Sequence, residues 1–302
     1  MIISVPRNWE CSEAEHREYL RTILREYYNQ VEDMVGPPSY TYYFLKRVHR
    51  LILSRSLTHY RKSISLLENA IKQKNNNEFK DCIFREIKKV VDYESFCDKS
   101  KKYNAYTLCS KSKLRTCPYC NHSYSITTYE TGRGFRPSLD HFYDKARYPH
   151  LGLSLYNLVP SCSSCNSSLK NTKDFFKDDH LHPFFDDEEI QFRIKSGNII
   201  NPIDIIRTPI TYLKIETLYK SIKAKNSDSV FLINERYQYF IYEAYNFALA
   251  KLDFDEQIKN TNLFITRGMK EKTSLRFDID NYKHEMLGKL YKDIYIQFTL
   301  KL

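Results

Sequence analysis

Glycine is scarce, with seven in 302 residues. Tight turns and left-handed backbone positions favour glycine, so its scarcity argues for helices rather than for many short hairpins. Long apolar runs are missing too. No stretch approaches the ~18 apolar residues of a membrane span, so none is expected. The first twenty residues, MIISVPRNWECSEAEHREYL, lack an apolar core of signal-peptide length, which points to a cytoplasmic protein. No fixed-period repeat and no low-complexity tract stands out. What remains is 42% hydrophobic and 28% charged, a composition that folds around a core. The eight cysteines are then expected in a reducing compartment, where CxxC spacing suggests metal or redox chemistry more than disulfides.

The net charge of +10 is uneven. Residues 1–104 hold 19 Lys/Arg against 14 Asp/Glu, residues 105–175 hold 9 against 4, and residues 176–302 hold 19 against 19. The middle segment is the most basic for its length. A basic balance favours polyanion partners through counterion release, without distinguishing nucleic acid from a membrane surface.

Apolar periodicity divides the chain into three regions. Residues 1–104 read as a helical N-terminal region. A helix over 12–34 places Tyr19, Leu20, Ile23, Leu24, Tyr27, Tyr28 and Val31 on one face. Helical pattern resumes over 40–72, broken near Ser54 to Thr58, and over 78–97 after a turn at Asn75-Asn76-Asn77. Residues 105–176 change character. His122 to Thr128 alternates like a strand, 130–134 is a turn, and Phe135 to Phe142 is a second strand candidate. Ser161 to Phe176 can start a helix. In 177–302, residues 189–200 suggest a small hairpin. Helices are expected at 211–224, 228–251, 255–269 and 281–300.

The middle region concentrates the chemistry. Cys117-Pro118-Tyr119-Cys120 and Cys162-Ser163-Ser164-Cys165 bracket 41 residues. Two such tight turns supply four thiolates to one tetrahedral ion, which reads as structural Zn²⁺. A thioredoxin-like redox pair needs one CxxC after a strand, not two. Between the pairs stand Asp140-His141 and Asn157, and Asn166 follows the second. Asp140 offers a hard oxygen ligand. His141, its neighbour on a strand, points to the opposite side unless the strand twists or ends there.

Those residues, in the order C-x-x-C, D-H, N-L, C-x-x-C-N with a nearby lysine, resemble the HNH endonuclease family of ββα-metal nucleases. The resemblance covers about residues 112–175. It implies an α+β fold: a zinc-stapled ββα-metal nuclease core embedded between the helical N-terminal and C-terminal regions. It further implies metal-dependent hydrolysis of nucleic-acid phosphodiesters, with DNA favoured. By position, His141 looks like the general base. Asp140 and Asn166 look like the ligands of a catalytic Mg²⁺ or Mn²⁺. Asn157 looks like the residue that tethers the loop and orients His141. Asn166 stands where a histidine often sits. Lys170 lies one residue further from the Cys165-Asn166 pair than the pattern suggests. The flanks, including Tyr148-Pro149 and His182-Pro183-Phe184-Phe185-Asp186, are similar to the HNH partner proteins of Septu-type and retron-linked antiphage systems. There the nuclease acts with a separate ATPase.

Around the motif, Arg147, Lys145, Arg136 and Arg133 crowd the expected metal face, and Lys170 is counted with them as a phosphate contact. His150 and His182 are open to a ligand or proton-donor role or a structural one, and His122 to packing beside the first CxxC. Tyr124, Tyr129, Phe142 and Tyr143 either stack on bases or fill a core. The charge-balanced C-terminal region, with a stripe of Tyr237, Phe240, Ile241, Ala244, Phe247 and Ala248, fits an ATPase contact better than a nucleic-acid one. Two rivals remain. One is an RNA nuclease, for example of tRNA. The other is a non-catalytic zinc-knuckle adaptor, indifferent to Asp140, His141 and Asn166.

Overall fold

The computed structural model describes residues 2–31, 34–130, 133–259 and 267–299. The chain is α+β, mainly helical, and its described strands form three two-stranded antiparallel sheets. Two compact units are built from it.

The first unit comprises Val5–Lys113 and Ser125–Phe185. Helix α1 (Glu13–Val31) buries His16, Leu20, Leu24, Tyr28 and Val31, a stripe at three- and four-residue spacing. Helix α2 (Pro37–Ile52) follows Gly36, whose φ of 88° turns the chain into it. Ser56 caps α3 (Leu57–Lys74), which ends at Asn75 in the left-handed conformation. Asn76 then caps α4 (Asn77–Val90) by accepting from the amides of Glu78 and Phe79. The expected break and asparagine turn therefore lie at these caps. The helix expected over 78–97 is divided. It stops at Val90, and Asp92 caps a separate turn α5 (Tyr93–Phe96). Asn104 and Thr107 form a capping box on α6 (Ala105–Ser110).

The strands of this unit pair differently from the expectation. Strand β1 (Thr128–Glu130) meets β2 (Arg133–Phe135) in a small exposed hairpin. The Asp-His strand β3 (Ser138–His141) pairs instead with β4 (Leu158–Ser161), with Asp140 opposite Val159 and His141 opposite Leu158. Burial explains the choice. All four β4 residues are buried, whereas Ile126 of the expected strand is 40% exposed and offers little to a core. Pro160 is tolerated because both strands of a two-stranded sheet are edges. The fully buried Trp9 donates its indole N–H to the Leu158 carbonyl at 3.0 Å, fixing β4 from behind.

The second unit comprises Met1–Ser4, Leu114–Tyr124 and Asp186–Leu302. Strand β5 (Ile190–Lys195) does not pair with 198–200, which makes only a Ser196–Ile199 bridge. After α7 (Pro202–Arg207), its partner is β6 (Lys214–Tyr219), inside the segment expected to be helical. Ile215 and Thr217 are buried at a spacing of two, so strand periodicity prevails there. The helix expected over 228–251 is interrupted at Leu232, φ 50°, between α8 (Ile222–Phe231) and α9 (Ile233–Tyr237), and resumes as α10 (Ile241–Lys259). The helix expected over 255–269 falls partly on 260–266, outside the described residues; α11 (Arg267–Leu275) and α12 (Gly288–Phe298) follow. The apolar C-terminal stripe packs within its own unit. Tyr237 stacks on Phe192 at 4.2 Å and Phe247 on Tyr291 at 4.8 Å. Among the described residues no helix is long and apolar enough to cross a membrane.

Candidate metal and catalytic site

The sulfurs of Cys117, Cys120, Cys162 and Cys165 all lie within 4.8 Å of one another. A tetrahedral zinc with Zn–S near 2.3 Å sets its sulfurs about 3.8 Å apart, so the cluster could hold a structural zinc ion. All four thiols are free of disulfides, and Cys117, Cys120 and Cys165 are buried. Each CxxC is followed by an asparagine whose amide donates back to the first cysteine's carbonyl: Asn121 to Cys117 at 2.7 Å and Asn166 to Cys162 at 3.0 Å. Such tight closures aim both sulfurs of a pair the same way.

Asn121 does more than close its turn. Its φ is 52°, a left-handed position that asparagine tolerates better than most residues. It is fully buried, donates to Thr116 Oγ1 at 2.9 Å and the Glu285 carbonyl at 3.0 Å, and accepts from the Lys289 amide at 2.8 Å. Tyr237 Oη donates to the Cys120 carbonyl at 2.7 Å. Asn121→Ala leaves these buried groups unpaired and is expected to cost about 3 kcal/mol or more, read from denaturant unfolding. Wild-type stability in that variant would show that the first knuckle does not depend on this anchor.

Strand β3 delivers Asp140 and His141 to a cleft of about 420 Å³ lined also by Tyr93, Arg136, Asp144, Lys145, Asn166 and Lys170. The strand ends on His141, so the adjacent pair shares this cleft rather than pointing to opposite sides. Asp140 is 2% exposed. Its Oδ1 accepts from Lys170 Nζ at 2.9 Å, and the same ammonium donates to the His141 carbonyl at 2.6 Å. Lys170 is thus buried in an ion pair and is not a free phosphate contact. It reaches Asp140 from a π-helical turn, Ser164–Lys170, in which the Asn171 amide bonds back to the Asn166 carbonyl. The wider i→i+5 turn absorbs the extra residue that separates Lys170 from the Cys165-Asn166 pair.

His141 Nε2 lies 2.9 Å from the Gly152 carbonyl. A carbonyl only accepts, so Nε2 carries the proton and Nδ1 keeps its lone pair. Among the described residues Nδ1 has no hydrogen-bond partner. Burial pushes the imidazole pKa down to about 3; the Gly152 bond opposes this, and the Lys145 and Lys170 charges add to it. The ring is therefore neutral at physiological pH. Tyr93 packs its edge on the ring at 4.6 Å, and Lys145 lies over Tyr93 at 4.3 Å. Asn157 is fully buried behind the cleft. Its Oδ1 accepts from the Tyr143 amide at 2.7 Å, and its Nδ2 donates to the Tyr143 and Leu151 carbonyls, each at 3.0 Å. These bonds clamp the loop from Phe142 to Tyr156, which carries Gly152.

The other expected residues are scattered. Arg136 lines the cleft, but one guanidinium nitrogen donates to Cys97 Sγ at 3.1 Å and another to the Pro137 carbonyl. Arg147 is exposed beside Asp144, 3.7 Å away, and does not line the cleft. Arg133 lies on the exposed hairpin, 3.9 Å from Glu130. His150 is buried against Ser63 and Phe44. His182 Nε2 bonds the Tyr156 carbonyl, and its Nδ1 accepts from Phe184. His122 lies against Phe240 and Tyr237. Phe142 and Tyr143 are core, whereas Tyr124 and Tyr129 are exposed. Tyr93 and Asp144 were missed. Tyr93 has no motif of its own and meets His141 only through the fold.

No family model matches the chain, and comparison with curated proteins and with solved structures found no match either.

Proposed function

We propose that the chain is an HNH-type, metal-dependent endonuclease hydrolysing nucleic-acid phosphodiester bonds, with DNA as the favoured substrate. The observation that carries this reading is the convergence of Asp140, His141 and Asn166 on one cleft, with His141 Nε2 tied to a carbonyl and Nδ1 left as a base. In the proposed reaction Nδ1 accepts a proton from water as the water oxygen bonds to phosphorus, and the bond to the 3′ oxygen breaks. An anionic phosphate in the cleft raises the proton affinity of the imidazole at that moment. Lys145 faces the incoming phosphate. The donor set, one carboxylate and one amide oxygen, fits a hard divalent ion. Asp140 and Asn166 would hold it, and when bound it would neutralise charge on the phosphate and the departing oxygen. The flanking likeness supports a role as the nuclease of an antiphage system acting with an ATPase through residues 177–302. Because the C-terminal apolar stripe is spent on internal packing, that contact would use other surfaces. Incubation of purified protein, with and without its operon partner, on labelled DNA and RNA with Mg²⁺, Mn²⁺ or chelator tests this. Absence of cleavage of either polymer under every condition counts against it, and cleavage of RNA alone reassigns the substrate.

The Asp140–Lys170 pair gives a test that does not need activity. Lys170→Met leaves a carboxylate buried without its cation and is expected to cost about 3 kcal/mol. If Asp140 is a metal ligand, millimolar Mn²⁺ should restore thermal stability to Lys170→Met but not to the Lys170→Met/Asp140→Asn double variant. Melting curves of the single variant that ignore Mn²⁺ would argue against the ligand assignment.

A further inference from the structure

A second cleft in the same unit shares no lining residue with the Asp140 cleft. It is open, about 850 Å³, and formed by α1, α2 and α3. Its cations follow from helix periodicity. Arg21 and Arg25 each stand one residue after a buried leucine of the α1 stripe, Leu20 and Leu24. On α2, Lys46, Arg47 and Arg50 flank the buried Leu45 and Val48, and Lys62 joins them from α3. Among the described residues no aspartate or glutamate lines the cleft. Glu18 reaches Arg21 at 3.6 Å and Arg25 at 3.9 Å, both exposed and weak. Among the described residues Lys46, Arg47, Arg50 and Lys62 have no ion-pair partner. Lys46 instead lies over the Tyr28 ring at 4.4 Å.

Six cations around one cleft repel each other unless an anion joins them. His49 registers that field: burial, then Arg21, Lys46 and Arg50, hold its imidazole below its ordinary range. The cleft is too large and open for a single phosphate or an enclosed small ligand. Four arginines on two helices suit successive phosphates, because each guanidinium can grip two oxygens.

We propose that this α1–α2–α3 cleft is a binding site for the phosphodiester backbone of nucleic acid, contacted through its phosphates and separate from the Asp140 cleft. The nuclease reading is not required: the readout is binding, so loss of cleavage and loss of this site are distinguishable.

The test is fluorescence polarisation of the full-length protein with a labelled short DNA duplex across a KCl series. Arg47→Glu/Arg50→Glu should weaken binding at least tenfold and lower the slope of log K against log salt by about 2. Arg47→Lys/Arg50→Lys should retain most of the affinity. A charge-matched Lys220→Glu/Lys225→Glu control on exposed residues of the other unit should bind as wild type. The proposal is overturned if Arg47→Glu/Arg50→Glu keeps wild-type affinity and slope. It is equally overturned if the control loses as much, or if inorganic polyphosphate binds this cleft while DNA does not. Unchanged melting temperatures of these surface variants exclude misfolding as the cause.

Discussion

Purified His141→Ala protein is expected to lose cleavage by about 10²–10⁴-fold in kcat, the usual contribution of a positioned base, while zinc content and DNA affinity stay at wild-type levels. The substitution removes the Nδ1 lone pair and one hydrogen bond to Gly152, and it touches none of the four cysteines. A modest stability loss of about 1–2 kcal/mol should accompany it, from that bond and the Tyr93 ring contact. The pattern matters more than the size. A fall in kcat at constant binding is what loss of a proton acceptor produces. A fall in KM-type binding alone would mean that His141 only shapes the cleft. The adaptor reading makes the opposite forecast for a cellular assay. If His141→Ala stays fully active in the cell while Cys165→Ser is dead, the protein is a zinc-stabilised binding platform and the nuclease proposal is wrong.

The motif residues were legible because short spacings survive any fold. Asp140-His141 and Cys165-Asn166 are contiguous, and the clustering of two CxxC pairs follows from their number and type. The helix ends around Ser56, Asn75 and Asn76 were legible for a similar reason, since these residues act on their own neighbours; the stop at Val90 before the Asp92 cap was not, because apolar spacing runs on through it. Strand pairing was not. His122 to Thr128 alternates well, but alternation does not choose a partner, and the buried Leu158-Val159-Pro160 run won β3 by offering more apolar surface. The β6 segment failed in the same way, since KIETLY accommodates both periodicities. Lys170 could be identified as a nearby lysine, yet its burial against Asp140 depends on a π-helical turn that no local signal announces. The basic cleft was visible only as a surplus of charge in residues 1–104. Its focus on one face needed the packing of three helices.

Freshly purified protein is expected to carry about one zinc per chain, and its removal should cost most of the stability that the chain possesses. The magnitudes decide this. Apparent zinc-binding energies at four-ligand sites run to roughly 10 kcal/mol, the same order as the whole folding free energy of an ordinary domain. Burial raises the stakes for the metal-free state, because Cys117, Cys120 and Cys165 are already withdrawn from water and four thiols have no comparable mutual attraction. Chelation under denaturant should therefore lower the unfolding midpoint sharply, and re-addition of Zn²⁺ should restore it. Among single variants, Cys165→Ser should be more damaging than Cys162→Ser. Cys165 is fully buried and leads directly into Asn166, whereas Cys162 is only partly covered. Cys11→Ser should change little, since that thiol is exposed and outside the cluster. Elemental analysis and thiol counting on the same sample separate zinc from redox chemistry. Metal-free protein with the wild-type midpoint, or with Cys117–Cys120 and Cys162–Cys165 recovered as disulfides by mass spectrometry, would mean that the four sulfurs serve electron transfer or packing and not an ion.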